Sequence, residues 1–229
     1  MIIKRYTIVI VTAFCAIALG GCPPTQTARV GQGSRTAADI HKAELLRQLD
    51  LKWENPATHF ELGQLYHASG DWVNAERYYN YALGFDPAYR DAQAAIVKLQ
   101  LDKGDKSKAE WAANAYMTQV ASFPEQLLTL GAAFEKQGLY DYALRCYQDA
   151  LKSAPDSYKV NRQLGYYYLN RNKKDLAKEH FIRSFELNPS QPDVAGELGR
   201  LGVAVRIPEA PASGSDNLSQ PAKPPTQSK

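Results

Sequence analysis

A spacing of 34 residues recurs through the middle of this chain and leaves little choice of fold. Ala75, Ala109, Ala143 and Ala177 keep that spacing without a break. Gly63, Gly131 and Gly165 form a second ladder, with Val97 on its missing rung. Pro87, Pro155 and Pro189 form a third, in which Ala121 stands in for proline. Leu62, Ile96, Leu130 and Leu164 make a fourth, and Tyr79, Tyr147 and Phe181 a fifth, with Ala113 as its exception. Several ladders in one register mark stacked copies of one small unit, none able to bury its apolar face alone.

Within a copy the spacing is helical. Leu62, Gly63 and Tyr66 lie on one side of a first helix expected from about Ala57 to Ser69. Gly70-Asp71 supplies a turn, because glycine readily takes the conformation beyond a helix end. Ala75, Tyr79 and Ala82 then make the inner stripe of a second helix, and Pro87 stops it. Small residues at Gly63 and Ala75 let the two helices approach. Gly104, Gly138 and Asn172 repeat the turn in the later copies. These residues together resemble the tetratricopeptide repeat, a 34-residue helix–turn–helix unit. The resemblance implies an all-α solenoid of four repeats, at 56–89, 90–123, 124–157 and 158–191 (56–191 together), with flanking cap helices.

The second copy departs from the pattern. Ala113 followed by Tyr116 replaces a large ring followed by a small residue, a volume exchange that a core accepts when the total is kept. With Ala121 in place of proline, its second helix is expected to run longer than its counterparts, to Ser122, and Val97 should hold its helices slightly apart. At the ends, 36–54 reads as an amphipathic N-terminal helix with Leu45, Leu46, Leu49 and Trp53 as its apolar stripe. Leu49 also begins a 34-residue ladder continued by Leu83, Met117, Leu151 and Phe185, so this helix stacks as the second helix of a truncated unit. Residues 192–203 read as a C-terminal cap helix using Leu198 and Leu201, and 206–229 as a disordered Pro-rich tail.

Upstream, Lys4 and Arg5 precede an apolar stretch from Ile8 to Leu19, followed by Gly20-Gly21-Cys22. A charged n-region, a short apolar h-region and a small-residue cleavage site read as a signal peptide over 1–21. Leu19-Gly20-Gly21-Cys22 resembles the lipobox of bacterial lipoproteins. That resemblance implies diacylglycerol and fatty-acyl (palmitate-type) modification at Cys22, cleavage just before it, and a lipid anchor joined to the helices by a flexible tether over 22–35. Pro23 stands where some such proteins carry an inner-membrane retention aspartate. The expected location is therefore the cell envelope, at an outer membrane and facing the periplasm.

Composition narrows the function. The formal net charge of +3 includes Lys4 and Arg5, so the chain beyond the signal is nearly neutral and lacks the basic patch of a nucleic-acid binder. Of Cys15, Cys22 and Cys146, only the last would remain free, and it reads as a small apolar helix residue. His41, His59, His67 and His180 form no metal motif, and neither a phosphate loop nor a nucleophile motif is present. No enzyme activity, cofactor or metal is expected.

In the tetratricopeptide family the partner groove is lined by the first helix of each unit, mainly at its second, fifth, ninth and twelfth positions. Here these are Ala57, Phe60, Gln64 and His67, then Asp91, Ala94, Lys98 and Leu101. Glu125, Leu128, Ala132 and Glu135 follow in the third unit, and Lys159, Arg162, Tyr166 and Leu169 in the fourth. The resemblance singles out Phe60, Gln64, His67, Lys98, Leu128, Lys159, Arg162 and Tyr166 as the groove that binds a protein partner. Lys159 and Arg162 are candidates for holding an acidic segment. Phe60 and Ala95 do not match the carboxylate clamp of cytosolic chaperone-binding members. The nearest resemblance is to repeat lipoproteins that help pili assemble. It implies a membrane-anchored scaffold for envelope, pilus or secretion-system assembly, with an adaptor for a periplasmic protease or cell-wall hydrolase as the alternative.

Overall fold

A computed structural model describes residues 36–206. The signal segment, Cys22, the tether and the tail from residue 207 onward lie outside them. The described residues form ten α-helices and no strand. Helix α1 (Ala37–Leu51) precedes four helix–turn–helix pairs and α10 (Pro192–Arg200) follows them. The pairs are α2 (Pro56–Ala68) with α3 (Trp72–Phe85), and α4 (Arg90–Asp102) with α5 (Lys106–Val120). The other two are α6 (Pro124–Lys136) with α7 (Tyr140–Ser153), and α8 (Tyr158–Leu169) with α9 (Lys174–Leu187). Each first helix packs on its own second helix, and α2, α4 and α6 each also meet the next first helix, so the units stack as a solenoid. Among the described residues no helix is long and apolar enough to cross a membrane.

The ladders acquire physical meaning in the packing. A methyl group built on Gly63, Gly131 or Gly165 would lie 2.4–2.5 Å from the ring of Tyr79, Tyr147 or Phe181, all three rings being buried. The glycine is thus the floor of a socket, and the ring from the second helix of the same unit fills it. In the second unit Val97 and Ala113 hold these two positions, and both are fully buried. The volume has crossed from one helix to the other, which is a different exchange from the one expected between Ala113 and Tyr116. As expected, α4 and α5 stand less close than the helices of the other three units.

Helix boundaries follow local chemistry. The turns within units place Gly70, Gly104, Gly138 and Asn172 at positive φ, the asparagine at 56°. Helix α5 has 15 residues where α3, α7 and α9 have 14, and it ends at Val120, short of the expected Ser122. Phe123 precedes Pro124 and is held extended at φ −123°, so the chain must leave the helix before it. It does so by tight turns, with the Ala121 N–H donating to the Thr118 carbonyl and that of Phe123 to Val120. At the N-terminal end Leu45 and Leu49 are buried against Leu62, but Leu46 and Trp53 are exposed and leave the expected stripe. Trp53 lies past the end of α1, where its ring cannot continue the helical row. Helix α10 stops at Arg200, before Gly202 at φ 79°, and Val203 and Val205 pack partly on the core without helix.

Candidate functional site

The first helices contribute two polar clusters to one face of the stack. In the N-terminal half, Gln64 and His67 from α2, Tyr79 from α3, Lys98 and Asp102 from α4, and Gln137 just after α6 line a hollow of about 320 Å³. Asp102 is its electrostatic centre. Its Oδ1 accepts from Lys98 Nζ at 2.5 Å, and its Oδ2 lies 3.0 Å from His67 Nε2. An ionised carboxylate can only accept, so Nε2 carries a proton. With His67 neutral, Nδ1 then accepts from the Tyr79 hydroxyl 3.2 Å away. Burial, with Asp102 adding to it, pushes the Tyr79 phenol far above its ordinary range, which keeps it a neutral donor. Three of the expected groove residues, Gln64, His67 and Lys98, meet here.

In the C-terminal half the position equivalent to His67 is occupied by Glu135 on α6. It accepts from the Tyr147 hydroxyl at 2.7 Å and from Arg171 Nη1 at 3.2 Å, and Gln163 reaches the Tyr147 hydroxyl at 3.1 Å. The Arg171 guanidinium lies 3.7 Å from the Tyr167 ring centre and 4.0 Å from that of Tyr140. Its buried Nε and Nη2 have no hydrogen-bond partner and face these rings instead. Reasoning from the ladders missed this cluster, although a signal for it was present. His67 and Glu135 each precede a tyrosine of the aromatic ladder by twelve residues, whereas Leu101 and Leu169 precede Ala113 and Phe181. A buried hydroxyl needs a partner, and the polar residues appear only in the units that have one.

The remaining expected residues are placed differently. Phe60 is 8% exposed, its ring centre 5.2 Å from that of Tyr89 and 5.8 Å from that of Tyr79, so it belongs to the core rather than to an open groove. Leu128 and Tyr166 are half-buried. The Tyr166 hydroxyl donates to Asp193 at 3.1 Å, and burial with that carboxylate pushes its phenol up to about 12. Lys159 and Arg162 are not free cations. Lys159 Nζ sits 2.5 Å from Glu125 Oε1, and Arg162 Nη1 3.8 Å from Asp193. Lys136 pairs with Asp91 in the same manner at 3.1 Å. An acidic segment would compete with these exposed carboxylates for Lys159 and Arg162. Among the described residues no group of His, Cys, Asp or Glu could hold a metal ion. The buried Cys146 thiol is pushed up to about 12 by burial, as suits an inert core residue.

Tetratricopeptide-repeat models match residues 58–84 and 159–191, and these segments are tetratricopeptide repeats. The chain is 29% identical over 147 residues to the type IV pilus assembly protein PilF of Pseudomonas aeruginosa, covering 62% of this chain and 58% of that one. It is 27% identical over 165 residues to human protein O-mannosyl-transferase TMTC1, covering 70% of this chain and 17% of that one. The chain thus spans less than two thirds of either relative. Among solved structures, Pseudomonas aeruginosa PilF is 24% identical with a TM-score of 0.36, over 70% of this chain and 69% of that one. YrrB, described as having an unusual peptide-binding site, is 17% identical with a TM-score of 0.36, over 69% of this chain and 81% of that one.

Proposed function

We propose that this tetratricopeptide-repeat chain is a lipid-anchored scaffold of the cell envelope that holds a protein partner on its first-helix face during pilus or secretion-system assembly. The observation that carries the reading is the hollow around Gln64, His67, Lys98 and Asp102. It draws on three helices and the end of a fourth, across three units, and offers donors, acceptors and a neutral phenol within one small volume. Such a surface suits a peptide, whose own amides need both donors and acceptors. Its charges are matched internally, so recognition rests on shape and hydrogen bonding more than on net charge. PilF, named for type IV pilus assembly, supports the pathway. The lipobox ending at Cys22 supports anchoring, and Pro23 after it supports an outer membrane with the repeats facing the periplasm. The near-neutral chain favours protein over nucleic acid as the partner.

The test is photo-crosslinking in cells from a benzoylphenylalanine placed at Gln64 or at Leu128, with the 75%-exposed Trp111 on α5 as control. A discrete adduct from the two first-helix sites and none from position 111 is the expected result. Adducts from position 111 alone would remove this face as the binding surface. A pilus or secretion component in the adduct supports assembly, whereas a protease or cell-wall hydrolase would replace that reading. The anchor is tested separately, because Cys22→Ala should release the chain from sedimented membranes.

A further inference from the structure

One ladder in the structure is buried and polar. His59, Gln93 and Asn161 occupy the same position on α2, α4 and α8, and their exposures are 0%, 1% and 2%. Each sends a side-chain nitrogen back to the backbone carbonyl six residues earlier, in the segment that enters its helix. His59 Nε2 lies 2.7 Å from the Trp53 carbonyl, Gln93 Nε2 2.8 Å from that of Pro87, and Asn161 Nδ2 3.3 Å from that of Pro155. The third unit has Leu127 at this position and lacks the bond. These are latches that tie each joint down to the following helix. Two are amides, which cannot titrate near neutral pH, and one is an imidazole, which can.

The surroundings of His59 decide what titration would do. A carbonyl only accepts, so Nε2 carries the proton, and Nδ1 is buried without a hydrogen-bond partner. The Phe85 ring stacks on the imidazole at 5.4 Å, while Trp53, Tyr81 and Tyr78 meet it edge-on or tilted at 4.8, 5.3 and 5.9 Å. The titratable groups against it are the phenols of Tyr78 and Tyr81 on α3. Among the described residues no carboxylate or cation acts on the ring. Lys52 and Glu54, beside Trp53 in the chain, are exposed. A second proton would therefore place an N–H at buried Nδ1 with no hydrogen-bond acceptor to receive it. Burial accordingly pushes the imidazole below its ordinary range.

We propose that His59 is a pH-sensitive latch, closed when neutral, whose protonation releases the joint between α1 and the first repeat. The sign follows from linkage. A base whose folded-state pKa is depressed binds fewer protons folded than unfolded, so its contribution is complete above about pH 6.5 and is lost as pH falls below that. A second histidine faces this joint: His41 on α1 lies 3.7 Å from Glu61 on α2, both exposed. Glu44 on α1, held near 2 by its bonds from Arg47 and Gln48, keeps its charge throughout this range. His180, also pushed down by burial, sits in the fourth unit and bears on that unit. The latch is independent of the proposed partner function.

Amide hydrogen exchange on the purified full chain at pH 7.5 and 5.0, corrected for the intrinsic rate, reads the joint directly. Linkage allows up to about a tenfold change in the opening equilibrium per pH unit. The expected result is exchange about tenfold faster at pH 5.0 over residues 37–58, without an equal change across α6 and α7. His59→Gln, which installs the second unit's amide, should abolish the acceleration. Gln93→His should create a matching one over residues 86–92, and this variant keeps the test open if the first does not fold. Equal acceleration in the native chain and His59→Gln would overturn the proposal. So would slower exchange at pH 5.0, which would mean that the rings cage the cation rather than exclude it.

Discussion

A single methyl group decides how closely the two helices of a unit approach. At Gly165 a Cβ would meet the Phe181 ring at 2.4 Å, and the ring, fully buried, has nowhere to move. Gly165→Ala should therefore destabilise the chain by about 2 kcal/mol, the usual cost of forcing extra volume into a packed core. The second unit shows how the socket can be filled the other way, with Val97 opposite Ala113. Copying that pair into the fourth unit as Gly165→Val with Phe181→Ala should cost at least about 1 kcal/mol less than the two single changes added together. Urea unfolding of the three variants measures the coupling, and strict additivity would remove the socket argument. The glycine and ring ladders were both legible in the sequence. Their pairing across the helices was not, because periodicity says which positions are equivalent and leaves open which of them touch.

At the scale of the element, the helix ends were readable to within three residues, since they depend on short-range chemistry. Gly70, Gly104, Gly138 and Asn172 all take positive φ, where only glycine is free of a Cβ penalty. Asn172→Gly should raise stability by about 0.5 kcal/mol, and Gly104→Ala should lower it by about 1 kcal/mol. Thermal melts of the two variants check both signs. The end of α5 shows the limit of this reasoning. The missing proline at Ala121 does lengthen the helix, by one residue, but Pro124 acts upstream through Phe123 and ends it sooner than counting from the proline itself suggests. The stripe on α1 failed for a related reason: Trp53 keeps its place in the count but falls after the last helical residue.

At the scale of the whole molecule, the contacts between units separate into exposed pairs and one enclosed cluster. Lys159 and Glu125 join consecutive first helices in water, and Lys159→Ala should change stability by less than about 0.5 kcal/mol. Arg171, closed between Tyr140 and Tyr167 and bonded to Glu135, ties the third unit to the fourth. Arg171→Ala should cost about 2 kcal/mol, because it removes packing on two rings and leaves Glu135 short of a donor. Chemical denaturation of the two variants side by side distinguishes them, and equal effects would contradict the distinction.

The amino-acid sequence by itself determined the class, the number of repeats, the turns and the residue types facing inward. All of these follow from contacts within one 34-residue period. Only the tertiary structure decided the character of the first-helix face. Side chains about 35 residues apart meet there, as His67 meets Asp102, Lys159 meets Glu125 and Arg171 meets Glu135. Lys159 and Arg162 are paired with Glu125 and Asp193, and the rings of Tyr79 and Tyr89 take Phe60 into the core. Gln64, His67 and Lys98 gather in one hollow. The physical reason is range: a ladder reports the environment a position shares with its copies, while charge pairing and burial depend on what the neighbouring copy happens to place opposite.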